Sequence, residues 1–154
     1  MRGLDALLAD APMFESMARE RLDVIAGCGS DREFEDGDYL LREGEPADSF
    51  FVIRAGDVAL ETYVPERGAL RIETLHGGDV LGWSWLVPPH RTMFDARAAG
   101  GVRALAFDGR CVRAKCDADP TLGFDLSSRF VTVIAERLRA ARLQLLDVYG
   151  HPTT

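Results

Sequence analysis

The sequence predicts an α+β protein: an antiparallel roll or barrel of short strands, flanked by N-terminal helices and one long C-terminal helix. Two observations carry that prediction. Apolar residues recur at three- and four-residue spacings near the N-terminus and again from about 119 to 148, whereas from about 31 to 108 the period is two. The period-two region is also broken into short runs by Gly, Pro and Asp, the punctuation of an all-antiparallel sheet. With 154 residues the chain has the size of one domain. Its expected divisions are N-terminal helices over 1–29, the roll over 30–109, C-terminal helices over 110–148 and a tail over 149–154.

Each element has its own signal. Leu4, Leu7 and Leu8 share one helical face, and Pro12 ends that segment. Phe14, Met17, Ala18, Leu22 and Ile25 predict a second helix over 14–27, with Gly27 and Gly29 as stop signals. The runs 39–43, 49–56, 57–64 and 69–79 read as strands, with glycines 37, 44, 56, 68, 77 and 78 at the turns. Two more strands follow at 93–100 and 102–109, with Gly100-Gly101 as a hairpin turn, and roughly eight strands are expected over the whole period-two region. For the last helix, Asp119 is the expected N-cap and Pro120 the first helical residue. Leu126, Phe130, Val133, Arg137, Ala141, Leu145 and Val148 form its seam, with Ile134, Leu138 and Leu145 in a parallel row. So wide an apolar stripe suits a helix that touches both its own domain and a second subunit.

Composition excludes several classes of function. The net charge is −7, and residues 31–57 hold nine acids against three arginines, so no basic surface is present to track phosphates. No apolar run approaches the roughly 20 residues that cross a bilayer. Asp5 and Asp10 interrupt what would be a signal-peptide core, so a cytoplasmic location is expected. On the same ground Cys28, Cys111 and Cys116 are expected to be reduced, buried or idle thiols. His76, His90 and His151 are scattered and no CxxC occurs, so no metal site is expected. GxSxG, HExxH and P-loop signatures are absent, and the chain is expected to have no catalytic residues and to be no enzyme. Arg97 beside Asp95 reads as an exposed ion pair.

The ordered set Gly37, Gly44, Asp48, Phe51, Ile53, Gly56, Val58, Gly78, Asp79 and Gly82 resembles the scaffold of cyclic nucleotide-binding domains, the sensor half of Crp/Fnr-type regulators. The resemblance spans about 13 to 148. It implies a β-roll of the double-stranded β-helix or jelly-roll type, with a phosphate-binding cassette at 82–92, the stretch "GWSWLVPPHRT". In that reading Gly82 opens the cassette, Ser84 to Leu86 resembles its short helix, and Arg91 resembles the arginine that pairs with the cyclic phosphate. A helix N-terminus and a guanidinium fork are both suited to such an anion.

Two positions depart from the family pattern. Trp83 stands where a glutamate usually accepts the ribose hydroxyl. An ungapped match from Gly82 to Ala98 places Thr92, not Arg91, at the arginine's position, and a one-residue slip turns a strand side chain to the other face. Gly82, Trp83, Ser84, Trp85, Arg91 and Thr92 are thus the candidate ligand-binding residues. Trp83 and Trp85 have three open readings: core that fills the pocket, a stacking platform for a flat ligand, or an exposed protein-binding patch. His90 reads as a surface residue.

The resemblance implies a non-enzymatic regulatory module that takes a small anionic, cyclic nucleotide-like effector in the roll, needs no cofactor, and signals through its C-terminal helix as a homodimer. The alternative is a domain with a closed pocket that serves protein interaction or scaffolding. DNA binding is not expected, since no helix-turn-helix follows the long helix in this sequence.

Overall fold

The computed structural model describes residues 3–150. Its elements are α1 (Leu4–Ala9), α2 (Arg19–Ala26), β1 (Gly29–Phe34), β2 (Tyr39–Leu41), β3 (Ser49–Val64), β4 (Gly68–Leu75), β5 (Val80–Leu81), β6 (Asp95–Asp108), α3 (Gly109–Ala118) and α4 (Pro120–Gly150). The strands form one antiparallel sheet in the order β1-β6-β3-β4, with β2 added to β6 and β5 to β3. This is the predicted α+β roll, with the helices at its two ends in sequence.

Of the six runs named from the sequence, four fuse in pairs because two expected turns are kinks inside long strands, and β1 and β5, which were not among those runs, bring the total to six against the roughly eight expected. β3 passes through Gly56 and β6 through Gly100-Gly101, and the register between the two strands shifts at that level. Gly56 has φ +91°, and a Cβ there would lie 2.2 Å from the carbonyl oxygen of Gly101. Only glycine permits that approach. The strands bend together instead of turning back, and each serves two cores.

One core lies between sheet and helices. Leu8, Phe14, Ile25, Phe50, Trp85, Phe107, Leu122, Leu126 and Phe130 are all buried in it. The other fills the roll with Phe34, Phe51, Ile53, Val58, Leu60, Leu75, Leu81, Phe94 and the small residues Ala96, Ala98 and Ala104.

The helix expected over 14–27 begins only at Arg19. Pro12–Phe14 forms a single 3₁₀ turn, and Ser16 takes a left-handed φ of 66°. The carbonyls of Met13 and Glu15, which a continuous helix would use internally, accept hydrogen bonds from Nη1 of Arg129 on α4 at 2.8 and 2.7 Å. At the other end Asp119 caps α4 as expected, its Oδ1 accepting from the backbone N–H of Thr121 and Leu122. α4 runs through Gly150, past the expected end at 148, and the expected tail at 151–154, with His151, lies outside the described residues.

The cysteine expectation is overturned. Cys28 and Cys111 form a disulfide, and Cys116 alone is a free thiol. The cause is register: β1 pairs with β6 so that Gly29 faces Phe107, which brings the residue before β1 beside the start of α3. Sequence spacing, with the two cysteines 83 positions apart, carries no sign of it.

Candidate functional site

The stretch 82–92 leaves β5 and returns to β6 across one end of the roll. Gly82 has φ +93°, and a Cβ there would stand 3.2 Å from the carbonyl oxygen of Ser49, so the chain can make this bend only with glycine. Ser84–Leu86 form no helix. They lie in a turn where the Leu86 N–H donates to the carbonyl of Trp83 at 2.9 Å and the Val87 N–H to that of Ser84 at 3.3 Å. The expected helix N-terminus is therefore absent. The Pro88-Pro89 peptide is cis, and His90, with φ 58°, brings Nδ1 within 3.1 Å of the Ser84 carbonyl oxygen.

The cassette's far end is sewn to residues 44–47. The Ala47 N–H donates to the His90 carbonyl at 2.8 Å, the Thr92 N–H to that of Glu45 at 2.9 Å, and the Gly44 N–H to that of Thr92 at 2.8 Å. Strand-like alternation then decides which way the side chains face. Thr92 is 5% exposed and turns inward, whereas Arg91 is exposed and its Nη1 donates to the carbonyl of Gly44 at 3.2 Å. Arg91 does not enter the roll.

The tryptophans divide between the cores. Trp85 is fully buried, stacked on Phe50 with centroids 4.9 Å apart and edge-on to Phe130 at 5.4 Å. Its carbonyl accepts from Nη1 of Arg113, while its own Nε1 has no hydrogen-bond partner among the described residues. Trp83 is half-buried and packs against both cores, with its ring 5.7 Å from that of Phe94.

Two charged residues that the sequence did not mark complete the surroundings. Arg137 of α4 reaches back to the roll, its guanidinium 5.6 Å from the Trp83 ring and its Nη2 donating to the Val80 carbonyl. Its Nη1 is buried with no hydrogen-bond partner among the described residues. Burial lowers its pKa below the ordinary arginine value, while the carboxylates of Glu73 and Asp79 work against that shift. In sequence Arg137 is only the one charged member of the expected seam, where it interrupts an otherwise apolar row. A cavity of about 530 Å³ adjoins it, lined among others by Pro12, Leu75, Gly78, Arg129 and Glu136.

The second is Glu61, 4% exposed and bound by Arg97. The exposed pair expected between Arg97 and Asp95 is not formed; Asp95 instead accepts from the Glu43 N–H at 2.8 Å and lies 3.6 Å from Arg42. The hydrogen bonds from Arg97 hold the Glu61 carboxyl below the usual range, against the cost of burial. A lone acid within the apolar run 58–64 was the signal for this pair. Among the described residues no group of three or more His, Cys, Asp or Glu is placed to hold a metal ion, and no helix is long and apolar enough to cross a membrane.

Comparison with known proteins agrees with this architecture. The family model for the cyclic nucleotide-binding domain matches residues 31–119, and the chain belongs to that family. The chain is similar to the cGMP-dependent protein kinase egl-4 of Caenorhabditis briggsae, 32% identical over 103 residues, which covers 66% of this chain and 14% of the kinase. It is also similar to the CRP-like cAMP-activated global transcriptional regulator of Mycobacterium tuberculosis, 25% identical over 146 residues, covering 94% of this chain and 63% of the regulator. It thus spans less than two thirds of the length of either relative. A cyclic nucleotide-binding domain from Methylobacillus flagellatus shares the fold with a TM-score of 0.80 at 16% identity, covering 94% of this chain and 82% of that one. Fold and family are those of a cyclic nucleotide-binding domain.

Proposed function

We propose that the chain is a non-catalytic regulatory module whose roll is closed by its own side chains, and that it acts by presenting α4 to a second copy of itself. The observation that carries this reading is Trp83. It bridges the two cores and lies against Phe94, at the position where the family resemblance calls for a ribose-binding glutamate. An indole has no acceptor for a hydroxyl, and its bulk occupies the space a ribose needs. Arg91 faces outward and no cassette helix offers N–H groups to a phosphate.

The dimer follows from α4. Leu126 and Phe130 are buried in the chain's own core, so they are not the leftover stripe that the sequence suggested. The row that remains open combines the expected parallel row Ile134, Leu138 and Leu145 with Ala141 and Val148 of the expected seam and adds Val131: Val131, Leu138, Leu145 and Val148 are 57–69% exposed, and Ile134 and Ala141 complete an alternating three-and-four spacing with them. That is the heptad seam of a two-stranded coiled coil. A second copy, carrying the same seam, satisfies it by symmetry.

A second reading, a small anionic effector of cyclic nucleotide type bound at the roll and read by α4, is favoured by the unpartnered Nη1 of Arg137 beside Trp83. Calorimetric titration separates the two. With cAMP and cGMP at up to millimolar concentration the closed roll gives no binding heat. Saturable micromolar binding, lost in Arg91→Ala or Arg137→Ala, would overturn it.

A further inference from the structure

The Cys28–Cys111 bond lies away from the cassette, at the junction where the helices meet the sheet. Cys28 sits between α2 and β1, Cys111 in the first turn of α3, and their Cα atoms are 5.7 Å apart. The same junction is held by the Asp108 N–H donating to the Cys28 carbonyl at 3.0 Å and the Gly109 N–H to that of Asp48 at 2.8 Å. Both cysteines are half-exposed and line an open cleft of about 610 Å³ together with Arg32, Asp48, Ser49 and Arg110. Cys116, about a turn and a half further along α3, is half-exposed too and packs on the same apolar core as Cys28, but it does not line the cleft, and burial raises its thiol pKa. One chain thus holds a pair that lines the cleft and a third cysteine outside it that serves as an internal comparison.

What the bond restrains is the segment that leads into α4. Nothing but Asp119 separates α3 from α4, and the two helices pack closely: a Cβ on Gly123 would lie 3.2 Å from the Cβ of Cys116. A change in how α3 is held at its first turn is therefore passed to the base of α4.

We infer that Cys28 and Cys111 form a thiol–disulfide exchange site, open to small-molecule disulfides and thiols of the glutathione type, that sets how firmly α3 and the base of α4 are held to the sheet. In the oxidising direction, one cysteine thiolate attacks a sulfur of the small disulfide, whose S–S bond breaks and releases one thiol. The second cysteine thiolate then attacks the protein sulfur of the mixed disulfide and expels the second thiol. The two cysteines lose two electrons and two protons, and the small disulfide gains them. A cleft is needed because the attack must be made along the S–S axis by a molecule larger than water. In reducing compartments paired cysteines are chiefly of this transient, sensing kind. Exchange at the site stands by itself; its regulatory consequence rests on the reading of α4 as the output.

The test uses the full chain in glutathione mixtures from fully reduced to fully oxidised, with alkylation and intact mass as one readout and hydrogen exchange of α3 and α4 as another. The expected result is reversible loss and gain of two hydrogens at Cys28 and Cys111 alone, with faster exchange over α3 and the first turns of α4 in the reduced protein. The melting temperature falls by roughly 10 °C on reduction, because the bond closes a long loop in the unfolded chain. Cys28→Ser and Cys111→Ser behave as the reduced protein and Cys116→Ser as the unaltered one. Thiols that stay open in oxidised glutathione overturn the proposal, as does a bond that persists in excess reduced glutathione or an exchange that leaves α3 and α4 equally protected. Self-association measured on the same samples tests the α4 reading separately, since a chain monomeric in both redox states removes that reading and leaves the exchange site in place.

Discussion

Arg97 on β6 donates to both carboxylate oxygens of Glu61 on β3, through Nε at 2.9 Å and Nη2 at 2.8 Å. The fork is bidentate, and Glu61 is buried while Arg97 keeps part of its surface in water. Removal of the carboxylate in Glu61→Ala therefore loses two charge-assisted hydrogen bonds and costs about 1.5–3 kcal/mol, read by urea denaturation.

The same pair sets a pH dependence. The folded pKa of Glu61 lies below its unfolded value, so the pair's contribution is complete above the unfolded value of about 4.3 and is lost as pH falls through the folded one. Acid unfolding of the wild type followed by circular dichroism should steepen below about pH 4, and Glu61→Gln should flatten that limb. An unchanged acid limb in Glu61→Gln removes the pair from the account of stability.

Trp85 gives a prediction about packing. Trp85→Ala empties a fully buried site between Phe50 and Phe130 and costs about 3–5 kcal/mol. Trp85→Phe keeps a ring in both contacts and deletes an N–H that has no acceptor, so its cost is smaller, about 1–2 kcal/mol. Equal losses in the two variants would mean that the ring's contacts with Phe50 and Phe130 carry none of the stability.

The roll was legible in the sequence because its signals are local. Period-two alternation, the glycines at turns and the Asp119-Pro120 start of α4 each lie within a few residues of the element they specify. What escaped was set by contacts far apart in sequence. Gly56 and Gly100-Gly101 read as turns, since a glycine that permits a hairpin also permits a kink, and only the approach of Gly56 to Gly101 distinguishes them. The Cys28–Cys111 pair depends on the register of β1 against β6, and the early break in the second helix on Arg129, more than a hundred residues away. At the site, the sequence left Arg91 and Thr92 open because a one-residue slip exchanges them; pairing of 44–47 with 90–92 turns Thr92 inward.

The two indoles report separately on the roll and the helical core. In Trp83→Phe the remaining Trp85 is fully buried, so emission should be blue-shifted and resistant to iodide. In Trp85→Phe the remaining half-buried Trp83 should be redder and partly quenched. Neither signal should move with cAMP or cGMP if Trp83 closes the roll, and a saturable shift confined to Trp83 would show that the indole yields to a ligand.

The exposed row on α4 supplies the last prediction. Val131, Ile134, Leu138, Ala141, Leu145 and Val148 follow heptad spacing along one line of the helix, and none belongs to the chain's buried core. A parallel pairing would bring Leu138 of one copy beside Leu138 of the other, so Leu138→Asp places two carboxylates together in an apolar seam and each substitution acts twice. Self-association measured by sedimentation should weaken by at least tenfold, or about 1.4 kcal/mol. The roll should be untouched, because Leu138 is 59% exposed and packs on neither core. The unfolding midpoint at high dilution, where both proteins are monomers, should therefore coincide for wild type and variant. As a control on the same helix, Arg139→Asp lies off the seam and should leave self-association within a few-fold of wild type. A wild-type chain that sediments as a monomer at tens of micromolar, or a Leu138→Asp chain that associates as tightly as wild type, would rule out this seam as the dimer contact.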